Sequence, residues 1–87
     1  SIGWQFLPSD RFDPVALIAL IDEVRPIRVK AWINTAAGSL QINRTLGAET
    51  ETESEAPAQS VNRLELILDR ALDAAPLTTR LRACLLS

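Results

Sequence analysis

The chain has 87 residues, 47% of them hydrophobic, and a formal net charge of −2 at pH 7. This length is that of a single domain, and no apolar run approaches the roughly 20 residues of a membrane helix, so we expect a soluble protein. The absence of histidine and the single cysteine, Cys84, exclude histidine-based triads, histidine metal sites and an internal disulfide, and indicate a reducing, cytoplasmic compartment.

Two elements are predicted in the first 26 residues. A first strand is predicted from three alternating apolar residues: Ile2, Trp4 and Phe6. Asp13 followed by Pro14 predicts a helix start, because the aspartate side chain can accept free amide hydrogens and proline suits the first helical position. The helix has an apolar stripe formed by Leu17, Leu20, Ile21 and Val24. Pro26 is expected to end it.

The segment 27–34 has the most regular alternation in the chain. One set of alternating residues is apolar: Ile27, Val29, Ala31 and Ile33. The other set is mostly polar: Arg28, Lys30, Trp32 and Asn34. Because successive side chains of a strand point to opposite faces, this pattern predicts a strand with one buried face and one open face.

The remaining segments predict a hairpin, a loop, a strand and a helix. A turn at 35–38 and alternation over 39–44 predict a third strand, antiparallel to the second. Segment 47–60 has four glutamates and no periodicity, which predicts a mobile, solvated acidic loop: Glu49, Glu51, Glu53 and Glu55. Segment 62–69 predicts a fourth strand with Leu64, Leu66 and Leu68 inward. Asp73 is expected to cap a closing helix whose stripe is Leu77, Leu81, Cys84 and Leu85.

The order β-α-β-β-β-α predicts an α+β fold with a four-stranded, mainly antiparallel sheet and two helices on one face. A right-handed crossover places the second strand parallel to the first, with room for one strand between them. We expect the third strand to fill that gap and the fourth to pair with the free edge of the first, giving the ferredoxin-like order 4-1-3-2. The expected sheet core is Ile2, Trp4, Phe6, Ile27, Val29, Ile33, Leu40, Ile42, Leu64, Leu66 and Leu68.

The uncovered face of this sheet is the candidate interaction face. The alternation places Gln5, Gln41 and Asn43 on it, together with the candidate binding residues Arg28, Lys30, Trp32, Arg63, Glu65 and Ile67. Three interpretations of Trp32 are open: packing under cross-strand cations, docking against another domain with the help of Ile67, and stacking of single-stranded RNA bases. The third is the least favoured, because the chain has few aromatic residues and its longest predicted loop is acidic.

No catalytic, cofactor-binding or metal-binding residues are predicted. The three glycines do not form a phosphate-binding loop around the single lysine, Lys30. Cys84 lies on a helical apolar stripe, which is typical of a buried thiol rather than a nucleophile. The glutamates of 47–60 lack the internal glycine that usually shapes a loop binding a hard cation.

Several short motifs together resemble the C-terminal domain of CobW-type P-loop GTPases. They are an aromatic first strand, Phe12-Asp13-Pro14 at a helix start, Arg28-Val29-Lys30, and an Asn-Arg-Leu-Glu-Leu-Ile strand at 62–67 before an Asp-capped helix. Ala31 stands where the family commonly has glycine, and glutamates stand where some members have a histidine-rich loop. The resemblance implies a non-catalytic accessory domain of a metallochaperone or cobalamin biosynthesis protein.

The resemblance also implies partners for such a domain. They are the GTPase domain of the parent chain, which would bind GTP and a divalent metal (zinc or cobalt), and a client metalloprotein or enzyme. The missing initiator Met agrees with a piece of a longer protein. The alternative is a free-standing ferredoxin-like binding module for a small ligand or single-stranded nucleic acid. Neither hypothesis involves a membrane, and the first does not involve nucleic acid.

Overall fold

The computed structural model describes residues 1–47, 52–56 and 62–86. The elements in chain order are β1 (Ile2–Gln5), α1 (Pro14–Val24), β2 (Arg28–Thr35), β3 (Gly38–Thr45), β4 (Thr52–Ala56), β5 (Arg63–Ile67) and α2 (Ala74–Arg82). The predicted α+β class, with an antiparallel sheet and two helices, is confirmed. The four predicted strands correspond to β1, β2, β3 and β5.

The five strands form one antiparallel sheet in the order β1-β5-β2-β3-β4. Two predicted pairings are present, the first strand with the fourth (β1 with β5) and the second with the third (β2 with β3). As expected, β1 and β2 are parallel with one strand between them, but that strand is β5 where we expected β3. A central position favours the more apolar strand, and β5 contributes Leu64 and Leu66, each 1% exposed.

The strand β4 lies inside the segment predicted as an acidic loop at 47–60. Thr52–Ala56 pair with β3, with Asn43 opposite Thr52 and Ser39 opposite Ala56. The loop prediction is therefore wrong for these five residues. Backbone hydrogen bonds to a neighbouring strand do not require an apolar period, and charged residues are common in edge strands. Gly47 lies in a turn, and the rest of the predicted loop, with its expected mobility, lies outside the described residues.

Both helices begin as the sequence predicts. The Asp13 carboxylate accepts hydrogen bonds from the amides of Val15 at 3.1 Å and Ala16 at 3.4 Å. The Asp73 carboxylate accepts one from the amide of Ala75 at 3.1 Å. The residues of α1 that are buried are those of the predicted stripe: Leu17, Leu20, Ile21 and Val24. Their side chains therefore fix which side of α1 faces the sheet.

The end of α1 is held by Arg70, which lies just after β5. Arg25 caps the helix in the left-handed conformation with φ 53°, a conformation that normally favours glycine. The guanidinium of Arg70 donates to the carbonyl of Val24 and, at 3.5 Å, to that of Arg25. These bonds satisfy carbonyls that have no partner within the helix, and so they join α1 to the segment that follows β5.

The core lies between the inner face of the sheet and the two helices. On β2, Val29, Ala31 and Ile33 are all at most 2% exposed. At the edge of the sheet, the indole N–H of Trp4 donates to Thr78 Oγ1 of α2 at 2.7 Å. The core is therefore on the predicted side of the strand, and the helices cover that side alone.

Ile27 was expected in this core but is 38% exposed. It precedes β2, and its N–H donates to the carbonyl of Ile67, the same residue that lies opposite Arg28 in the β2–β5 register. Two residues of one strand thus oppose one residue of the other, as in a β-bulge. The irregularity interrupts the alternation at Ile27 and turns its side chain outward.

A second correction concerns Asn34, which was assigned to the open face but is fully buried. Its N–H donates to Asn62 Oδ1 at 3.2 Å, and its Nδ2 donates to the Pro8 carbonyl at 3.1 Å. The Asn62 amide in turn donates to the carbonyls of Leu7 at 3.0 Å and Asp10 at 3.1 Å. These bonds hold the connection between β1 and α1 over the end of β2, and that connection buries Asn34.

Candidate interaction face

The side of the sheet away from the helices, which we call the open face, is built mainly by β2 and β5. Its predicted members are Arg28, Lys30 and Trp32 on β2, and Arg63, Glu65 and Ile67 on β5. Trp32 is half-buried, and the other five are exposed. The structure therefore places all six on one surface, while their role in binding stays a prediction.

Strand register determines which of these side chains are neighbours. Across β2 and β5, Trp32 lies opposite Arg63, and Lys30 lies opposite Glu65. Directly opposed side chains on one face of an antiparallel pair are close enough to interact. The open face is consequently an ordered array of cross-strand pairs.

Trp32 lies beneath two cations. The Arg63 guanidinium carbon is 4.7 Å from the centroid of the indole ring, and the Lys30 Nζ is 5.6 Å from it. Both distances are typical of cation–π contacts, so the predicted packing of cations over this ring is confirmed. The contacts hold the ring against the sheet and bring two positive charges close to it.

Lys30 and the three remaining members surround a depression of about 140 Å³. It is lined by Arg28, Lys30, Glu65 and Ile67. The Ile67 side chain is 38% exposed and supplies an apolar wall. The six residues carry three cations and one carboxylate, so the open face is positive although the whole chain has a net charge of −2. Chemically, this surface suits a partner that is both acidic and partly apolar.

Sequence reasoning placed Gln5 of β1 on the open face but did not include Gly3. Gly3 lies opposite Glu65 and Gln5 lies opposite Arg63, so both are on this side of the sheet. With Arg63 and Glu65 they line an open depression of about 340 Å³. A glycine inside an otherwise regular strand pattern was the signal that could have identified it.

The titratable groups with shifted pKa values lie among the helices, away from the open face. Burial raises the pKa of the Cys84 thiol, and the nearby Asp13 carboxylate adds to the increase. Cys84 is buried, as predicted, and its thiol donates to the Arg80 carbonyl at 3.4 Å. The hydrogen bond and charge of Arg80 lower the pKa of Glu23, an exposed residue of α1. These groups link the end of the chain to α1.

No group of three or more His, Cys, Asp or Glu residues is placed to hold a metal ion within residues 1–47, 52–56 and 62–86. In the same described part of the chain, neither helix has the length and apolar character needed to cross a membrane. The chain matches no protein-family model, no curated protein and no solved structure.

Proposed function

We propose that this chain is a non-catalytic accessory domain whose open face binds another protein. The observation that carries the proposal is the contrast between the two sides of the sheet, one packed by both helices and the other carrying Trp32, Ile67 and three cations at the surface. Interfaces are enriched in tryptophan and arginine, and their binding energy is concentrated in such residues.

The partner we propose is an acidic surface of a GTPase domain in the same protein, as the resemblance to CobW-type C-terminal domains implies. Three cations against the single carboxylate of Glu65 would attract an acidic surface and orient it during the encounter. In this proposal the cytoplasmic parent protein binds GTP and zinc or cobalt through its GTPase domain. The present chain transmits that state to a client metalloprotein or enzyme.

The geometry around Trp32 favours a protein over single-stranded nucleic acid. A base stacks on an exposed ring face, whereas the ring of Trp32 is half-buried and has Arg63 at 4.7 Å. A stacked base would have to displace that guanidinium. An acidic protein side chain can instead pair with Arg63 while the ring stays in place.

We first test the family assignment and then the surface. Sequencing of the complete gene is expected to reveal a Gly-x-x-x-x-Gly-Lys-Ser/Thr motif upstream of this chain. The separately expressed GTPase domain is then titrated with the wild-type chain and with Trp32→Ala by calorimetry. Loss of a central tryptophan from an interface costs about 2 kcal/mol or more, so we expect affinity to fall by about 30-fold.

Val15→Ala serves as the matched control, because Val15 is 77% exposed on α1. It removes exposed apolar surface without touching the open face, and it is expected to bind like the wild type. Equal affinity for wild type and Trp32→Ala would contradict the proposal. So would tight binding of single-stranded RNA that depends on Trp32, or a complete gene that lacks the GTPase motif.

A further inference from the structure

The outer edge of β1 is an exposed feature distinct from the predicted interaction residues. Within the described part of the chain, β1 pairs only with β5. The Phe6 N–H donates to the Asn62 carbonyl at 2.8 Å and continues the β1–β5 register. In an antiparallel pair, residues that hydrogen-bond to the partner strand alternate with residues whose N–H and C=O groups point away from that strand. The N–H and C=O groups of Gly3 and Gln5 therefore point outward from the sheet.

Gly3 is not required by the fold itself. Positive φ angles occur at Gly38 and Gly47 but not at Gly3. A Cβ added at Gly3 would meet nothing closer than the Leu64 carbonyl oxygen, at 3.8 Å. Glycine is unfavourable inside a strand, and one found there often marks the close approach of another backbone. The space above Gly3 is thus available to an incoming group.

The edge also lacks the residues that normally protect an edge strand. Ile2–Gln5 include no charged residue and no proline, whereas the sequence of the opposite edge strand, β4, includes Glu53 and Glu55. Charges and prolines discourage pairing with other chains. The two edges of the sheet therefore differ, and β1 is the edge suited to accept another strand.

We propose that β1 pairs antiparallel with β1 of a second copy, joining the two five-stranded sheets edge to edge. In the register that uses both outward-pointing residues, Gly3 lies opposite Gln5 of the second copy, and the two Trp4 residues face each other on the helix side. The Gln5 side chain then fills the space above Gly3. There its amide can donate to the Glu65 carboxylate, which lies opposite Gly3 in the β1–β5 register.

A second copy fits this edge better than an unrelated strand, because the gap and the side chain that fills it belong to the same four residues. A two-fold axis through Trp4 places each Gln5 over the other copy's Gly3 at once. Self-complementarity of this kind is what a symmetric dimer interface requires. The pairing uses one member of the open face, Glu65, and it can be tested in the absence of a GTPase domain.

The test compares the wild-type chain with Gly3→Lys by sedimentation equilibrium from micromolar to millimolar concentration. For the wild type we expect the average mass to rise with concentration from 9.5 kDa toward twice that value. Gly3→Lys occupies the gap and places the two lysines diagonally across the two-fold axis, on the same face of the joined sheet. We expect it to remain at 9.5 kDa throughout, and to remain folded because the site has room for a side chain.

Thr45→Lys is the matched control, since Thr45 is an exposed residue of β3 and the variant makes the same charge change away from the edge. It is expected to dimerise like the wild type. A wild-type chain that stays monomeric at millimolar concentration would overturn the proposal. Dimerisation of Gly3→Lys with wild-type affinity would overturn it equally, because the lysine fills the gap that Gln5 of the second copy is proposed to occupy.

Discussion

Phe12→Ala is expected to lower the free energy of unfolding by about 3–5 kcal/mol, the usual cost of removing a buried phenylalanine. Phe12 is fully buried and meets the Phe6 ring edge-on, with 4.9 Å between the centroids. Its backbone also bridges Thr35 of β2 and Leu85 after α2. Alanine would leave a cavity at the point where the segment before α1 meets the end of β2 and the segment after α2.

Urea denaturation followed by circular dichroism measures this effect. Small domains have urea m-values of about 1–3 kcal/mol per molar, so the midpoint should fall by more than about 1 M. Leu7→Ala is the control, because Leu7 is 66% exposed. Its free energy of unfolding should change by no more than about 0.5 kcal/mol, as for most surface substitutions. If Phe12→Ala proves unfolded, Phe12→Leu should show an intermediate loss. Equal stability of the Phe12 and Leu7 variants would contradict the central place given to Phe12.

Asn62→Ala is expected to cost about 3 kcal/mol or more, through hydrogen bonding rather than packing. Asn62 is 1% exposed, and its amide accepts from the Asn34 N–H and donates to the Leu7 and Asp10 carbonyls. Alanine leaves the buried Asn34 N–H and the part-buried carbonyls of Leu7 and Asp10 without that partner. Each such loss costs about 1–3 kcal/mol, with the two carbonyls toward the lower end. The connection between β1 and α1 should loosen first, because two of the bonds hold it.

Hydrogen exchange combined with thermal unfolding distinguishes this loosening from a uniform loss of stability. Amides of residues 7–12 should exchange faster in Asn62→Ala, whereas those in the β2–β3 hairpin should change only with global stability. Asn43→Ala is the matched control, since Asn43 is only half-buried on β3. Uniform acceleration across the sheet, or a cost no larger than that of the control, would be inconsistent with the anchoring role assigned to Asn62.

Periodicity predicted the fold where a helix or strand has one buried face and one solvent-exposed face. The apolar residues of α1 and the alternation of Val29, Ala31 and Ile33 placed the helices and the buried face correctly. Alternation failed at both ends of that strand, because Ile27 lies at a bulge and Asn34 is covered by the β1–α1 connection. Neither effect is local in sequence, so neither could be derived from the spacing of apolar residues.

The strand order and the presence of β4 could not be predicted from local sequence patterns, for a different reason. Placing β5 between β1 and β2 depends on long-range pairing that no local residue specifies. Thr52–Ala56 have no apolar residue except Ala56, so their pairing with β3 left no hydrophobic signal. The open face was more predictable, because alternation of polar residues on two strands was enough to bring Trp32 and Arg63 to one surface. Gly3 was missed because it contributes space rather than a side chain.

One face of this sheet is the core, and we propose that the other is a protein-binding surface. Mapping of backbone amide chemical shifts during titration with the GTPase domain tests it most directly. We expect the shifted amides to lie along Arg28–Trp32 and Arg63–Ile67, with those of α1 and α2 unchanged. Shifts confined to the helices, or no shifts at saturating partner, would contradict it.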